Sequence, residues 1–122
     1  MCERFWTLPL IVEPRGQRAE RTPDEAQRAY ADMVRFGEGL QARGLLRACE
    51  SLRSDAAGVR VSVRGGRRTQ VDGPFTESKE MVGGFFLLDC DTLEQAIAIA
   101  GECPAAQWAT VEVREVAPCH AG

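Results

Sequence analysis

Gly84-Phe85-Phe86-Leu87-Leu88-Asp89 is a run of four large apolar side chains closed by a glycine on one side and an aspartate on the other. A run this short that hides both of its faces belongs in the centre of a β-sheet covered on each side. The remaining elements can be placed outward from it. Downstream, Asp91-Thr92-Leu93-Glu94-Gln95 carries two overlapping capping boxes for a helix with Leu93, Ala96, Ile97 and Ala100 as its apolar face, stopped by Gly101 and Pro104. Residues 111–116 read as the last strand.

Upstream, Val59, Val61 and Val63 alternate with Arg60, Ser62 and Arg64. Gly65-Gly66 then turns the chain into residues 67–72, which spells a β-hairpin. Residues 45–52 are a strand of mixed pattern. Thr22-Pro23-Asp24-Glu25 combines an N-cap threonine, a first-turn proline and a glutamate three residues after the cap, so a helix starts there. Its apolar face is Ala26, Tyr30, Met33, Gly37 and Leu40, and Gly44 closes it. Residues 5–12 form a first strand in which Pro9 suits an edge or a bulge, and residues 13–21 are polar and read as loop.

The order β, α, β, hairpin, β, α, β provides only two helices. They are too few to cover both sides of the expected five-stranded sheet, so they pack on one face and leave the other open. The strand at residues 85–88 places apolar side chains on that open face too, and a bare apolar face calls for a partner. A homodimer, sheet against sheet, is the expected solution.

Composition narrows the function classes. The 122 residues are 44% hydrophobic and 27% charged, which is the balance of a folded domain and not of a disordered chain. One hydrophobic core, and so a single domain, is expected. The stretches 5–12 and 81–88 are too short to span a bilayer, and Glu3-Arg4 with Glu13-Pro14-Arg15 make a poor signal peptide, so a cytoplasmic location and no membrane partner are expected. Five cysteines (Cys2, Cys49, Cys90, Cys103, Cys119) without a CxxC, and a single histidine, His120, in the tail, argue against structural zinc and a disulfide framework. No GxGxxG, GxxxxGK[ST] or HExxH occurs, so no cofactor and no metal are expected. Charge is uneven: residues 1–71 hold 13 basic and 9 acidic groups, and residues 72–122 hold 2 and 9. The halves attract each other, within one chain or across two. Arg60, Arg64, Arg67 and Arg68 make the hairpin basic, but its strands contain no aromatic residue for stacking bases, so nucleic acid is not an expected partner.

The segment Val71-Asp72-Gly73-Pro74-Phe75-Thr76-Glu77-Ser78-Lys79-Glu80-Met81-Val82-Gly83-Gly84-Phe85 resembles the signature of the DGPF group within the YCII-related protein family. The preceding hairpin, the Cys103-Pro104 helix exit and the closing Val-Glu-Val-Arg strand extend the likeness over roughly residues 24–116. The resemblance implies a ferredoxin-like α+β fold, an antiparallel sheet with two helices on one face, that dimerises into an α+β barrel. In function it implies either of two things. Relatives on the YCII side carry a histidine and an aspartate that look like an acid–base pair, and some act on small ring compounds. Relatives on the DGPF side occur beside alternative sigma factors, which implies a regulatory role with a sigma factor as partner. Here the only histidine lies outside the matched segment.

Several residues are candidates for chemistry. Asp72 either caps its own turn through backbone N–H groups or serves as a pocket carboxylate. Gly73 and Pro74 shape that turn, and Phe75 either plugs the core or lines a ligand cleft with Glu77. Glu50, where relatives carry a glutamate, is either an exposed side chain or the partner of Asp72 in an acid–base pair. Lys79 is the only lysine beside fourteen arginines, which suits a titratable amine for an anionic ligand, or a solvated residue in a short turn with Glu77 and Glu80. Cys49 lacks a histidine base to act as a nucleophile. The expected site is therefore a cleft around Asp72, Glu50 and Lys79, with Gly73, Pro74, Phe75 and Glu77 contacting a small, anionic molecule.

Overall fold

The computed structural model describes residues 5–122; Cys2 and the Glu3-Arg4 pair lie outside the described residues. The chain runs through β1 (Phe5–Pro14), α1 (Gln17–Glu20), α2 (Pro23–Ala42), β2 (Leu46–Ser51), β3 (Val59–Arg64), β4 (Arg67–Asp72), β5 (Glu80–Cys90), α3 (Leu93–Glu102) and β6 (Thr110–Glu115). Four strands form one sheet in the order β2-β5-β1-β6, with every neighbouring pair antiparallel. With α2 and α3 on one side, this is a ferredoxin-like α+β arrangement. As expected, β5 sits inside the sheet.

The hairpin stands apart. β3 and β4 pair only with each other, so the sheet has four strands and not five. Both edges of β5 are already occupied, by β1 and β2, so the hairpin cannot join it there. A second correction concerns β1, which is central. Its ladder to β5 lapses between Thr7↔Leu88 and Leu10↔Phe85, across Pro9, which has no N–H to donate. Pro9 is thus accommodated by a gap in an inner ladder. β1 also continues through Glu13 and Pro14, and Gln17–Glu20 forms a helical turn, where loop was expected.

The helices start as read. Thr22 Oγ1 accepts from Glu25 N at 3.2 Å while Glu25 Oε1 accepts from Thr22 N at 3.0 Å. At α3, Thr92 Oγ1 accepts from Gln95 N at 3.1 Å and Gln95 Oε1 accepts from Asp91 N at 2.8 Å. Gly44, at φ +73°, follows the end of α2 in the left-handed conformation that glycine adopts without strain. The buried faces differ from those expected. α3 buries Ala96, Ile99 and Ala100, while Leu93 and Ile97 stay exposed. Ala96 and Ala100 belong to both faces, and Ile99 takes the buried place expected of Leu93 and Ile97. In α2, Gly37 and Leu40 are buried but Tyr30 is 62% exposed.

The core lies between helices and sheet: Ile11, Leu40, Phe86, Leu88, Cys90, Ala96, Ile99, Cys103 and Ala105. Phe86 meets the edge of Phe36 at a centroid distance of 5.5 Å. Alternation along β1 and β5 sends Trp6, Leu8, Leu10, Phe85 and Leu87 to the opposite face, where they are only partly buried. No helix among the described residues is long and apolar enough to cross a membrane.

Candidate functional site

Two regions concentrate polar chemistry. The first is the Asp-Gly-Pro-Phe turn. Gly73 N donates to Gly58 O at 2.8 Å, and a Cβ at Gly73 would overlap the Asp55 carbonyl oxygen, so only glycine fits. The Gly73–Pro74 peptide is cis. Phe75 is buried, with the Arg60 guanidinium 3.8 Å from its ring centroid, and Arg60 also reaches Glu77 Oε1 at 3.1 Å. Behind the turn, Arg15 binds both carboxylate oxygens of Asp55, Nη1 to Oδ1 at 2.8 Å and Nη2 to Oδ2. Its Nε donates to Ser78 O at 2.7 Å and its Nη2 to Phe75 O at 3.0 Å, while its backbone N donates to Lys79 O at 2.9 Å. The hydrogen bonds from Arg15 hold the Asp55 carboxyl below the usual carboxylate range, and the same contact raises the pKa of Arg15. Three segments that are distant in sequence are thereby locked at the base of the hairpin.

The second region is a cleft of about 480 Å³ on the helix side of the sheet, between the first half of α2, the β2 edge and the segment after α3. Ile11, Met33 and Phe86 form an apolar floor, and Tyr30 and Trp108 contribute aromatic walls. Glu13 is buried at its base, and burying a carboxylate alone would be costly. Arg18 answers it with two hydrogen bonds, Nε to Oε2 at 3.0 Å and Nη2 to Oε1 at 2.7 Å, and anchors its own Nη1 on Leu52 O at 2.9 Å. Gly83 makes the space, since a Cβ there would overlap the Glu13 carboxylate. At the mouth, the Arg21 guanidinium lies 5.4 Å from the Trp108 ring centroid and makes one long hydrogen bond, 3.4 Å to Gln17 Oε1. Among the described residues, most of its donors have no hydrogen-bond partner and face the cleft mouth. Cys49 also lines the cleft, but burial, with the neighbouring Glu50 adding to it, pushes its thiol pKa up and so away from the nucleophilic thiolate.

The YCII-related domain matches residues 10–120. The chain belongs to the YCII-related family. It is also similar to an uncharacterized protein of Rhizobium meliloti (strain 1021), 30% identical over 96 residues that make up 77% of each chain. The family match reaches further in both directions than residues 24–116, and it takes in Glu13, Arg15 and Arg18.

In this YCII-related protein the residues singled out from sequence are spread over both regions. Glu50 borders the cleft at the β2 edge, in register with Phe85, so its side chain lies on the uncovered face. Asp72 is exposed at the end of β4 opposite Val59, and Lys79 is exposed after the turn; neither side chain makes a hydrogen bond or ion pair among the described residues. Pro74, Phe75 and Glu77 line a depression beside Arg60 that Asp72, Lys79 and Glu50 do not line. The turn therefore holds Gly73, Pro74, Phe75 and Glu77 together, and among the described residues neither the cleft nor the depressions beside Arg60 bring Asp72, Glu50 and Lys79 together. The sequence reading missed Asp55 with Arg15, and Glu13 with Arg18. Glu13 had a usable signal: Thr7, Pro9, Ile11 and Glu13 continue one period-2 face into the core. The Asp55–Arg15 pair joins residues 40 apart and had none.

Proposed function

We propose that this YCII-related protein acts as a homodimer and binds one small organic anion per chain in the cleft between α2 and the sheet. A single observation carries this reading: the cleft joins an apolar floor and aromatic walls to a guanidinium, Arg21, whose donors are largely uncommitted at its mouth. Sites for small molecules have this composition, mostly apolar with a few converging polar groups. Arg18 is committed to Glu13 and shapes the base, so Arg21 is the group that meets the ligand's charge. The dimer is supported by the partly exposed Trp6, Leu8, Leu10, Phe85 and Leu87, an apolar layer that a second copy would shield from water.

The test is titration calorimetry with benzoate and with inorganic phosphate as probes. Benzoate binding is expected, together with a loss of about tenfold or more in affinity for Arg21→Ala, the size of one charge-assisted hydrogen bond. Asp72→Asn should bind as the parent does. Equal affinity of Arg21→Ala and the parent would remove the cleft reading, and loss of binding in Asp72→Asn would move the site to the turn. Sedimentation at micromolar concentration checks the dimer.

A further inference from the structure

The β3–β4 hairpin has two unlike faces. Its register, Val59↔Asp72, Val61↔Gln70 and Val63↔Arg68, sets Val59, Val61 and Val63 in one row. These valines are 51%, 58% and 56% exposed. The opposite face is knitted together: Ser62 Oγ and Thr69 Oγ1 are hydrogen-bonded at 2.7 Å, and Arg60 lies on Phe75. A two-stranded ribbon alone in water is marginal, and β-branched residues on it stabilise it only when something packs on them. Yet the base of this ribbon is firmly held by the Arg15–Asp55 pair and by Gly73, so the valine row projects at a set angle.

The same chain carries a surface that fits the row. The uncovered sheet face is apolar in its middle, at Leu8, Leu10, Phe85 and Leu87. At its borders stand Glu50 on β2, in register with Phe85, and Glu112 on β6, in register with Leu10, the latter with Arg114 3.9 Å away and in register with Leu8. On the valine face the tip carries one cation, Arg68, in register with Val63, while Arg64 and Arg67 pair on the opposite face. Its six-residue strands reach about 20 Å, enough to cross four strands spaced about 4.8 Å apart. We infer that the hairpin is an arm that lies on the uncovered sheet of a second copy, valines on its apolar middle and Arg68 toward Glu50 at its border. The contact is reciprocal, each copy giving one arm and receiving one, as two-fold symmetry requires. It rests on the homodimer of the proposed function and adds the part of the chain that makes it tight. It also gives the Asp-Gly-Pro-Phe turn its purpose, as the mount that aims the arm.

Sedimentation equilibrium of the full chain tests it. The variant Val61→Glu with Val63→Glu is expected to raise the dimer dissociation constant at least tenfold. Both residues are exposed in the single chain, so folding should be retained, as checked by circular dichroism. Independently, Arg68→Glu should weaken the dimer at 50 mM salt and do so less at 500 mM, because salt screens charges at this range. If the parent is a dimer and both variants associate as tightly as it does, the arm is wrong and the dimer stands. If the parent is a monomer at these concentrations, the dimer and the arm fall together.

Discussion

β5 and the β3–β4 hairpin are both rich in strand-forming side chains, yet they end in opposite environments. β5 buries Phe86, Leu88 and Cys90 under α2 and α3, whereas no residue of β3 or β4 is buried. The difference lies in what stands opposite each strand, since Val59, Val61 and Val63 are as apolar as any core position. Alternation produces a strand; a second layer produces a core. The body is held by many apolar contacts spread through its interior, and the hairpin by a few polar locks at its base.

Each side of this contrast can be broken in turn. Leu88 is fully buried, so Leu88→Ala should destabilise the whole fold by about 3 kcal/mol, seen as one shifted denaturant transition. Gly73→Ala forces a Cβ into the Asp55 carbonyl and should cost about 2 kcal/mol. Hydrogen exchange should then show protection lost first across residues 59–72, with β5 less affected. Thr22→Ala removes one half of the α2 capping box and should lower stability by about 1 kcal/mol without touching the hairpin amides. The smallest effect is a pH dependence. The Asp55 carboxyl titrates lower in the folded chain than in the unfolded one, so its stabilisation is present above about pH 4 and is lost as the pH falls through the folded value. The difference in Tm between the parent and Asp55→Asn should therefore be open at pH 7 and close progressively as the pH falls below about 4. A difference that stays constant with pH would mean that the lock is not ionic.

Local signals were readable wherever the neighbouring residues determine the outcome. The Thr22–Glu25 capping box, the Thr92 cap, the Gly65-Gly66 turn and the inner strand at residues 85–88 all depend on residues close in sequence, and all are present, though that strand is covered on one face only within the chain. The contact faces of α2 and α3 were less readable, because several faces of a short apolar helix look alike until the sheet selects one. Tyr30 and Ile97 are exposed for this reason. In the candidate site, the turn at Asp72 to Phe75 stood out in the sequence, but its clasp did not. Asp55 is an ordinary aspartate until folding brings Arg15 to it, and Glu13 looks like the start of a loop until β1 is seen to extend through it.

By itself the sequence determined the order of elements, the caps, the hairpin and the apolar strand at the sheet's centre, because hydrogen-bonding turns and side-chain periodicity act over a few residues. Only the tertiary structure decided that the hairpin leaves the sheet, that Glu13 sinks beneath the α2 cleft against Arg18, and that Glu50 and Asp72 lie in separate regions. Those outcomes depend on which strand edges are already occupied and which distant charges meet, and no stretch of neighbouring residues records either.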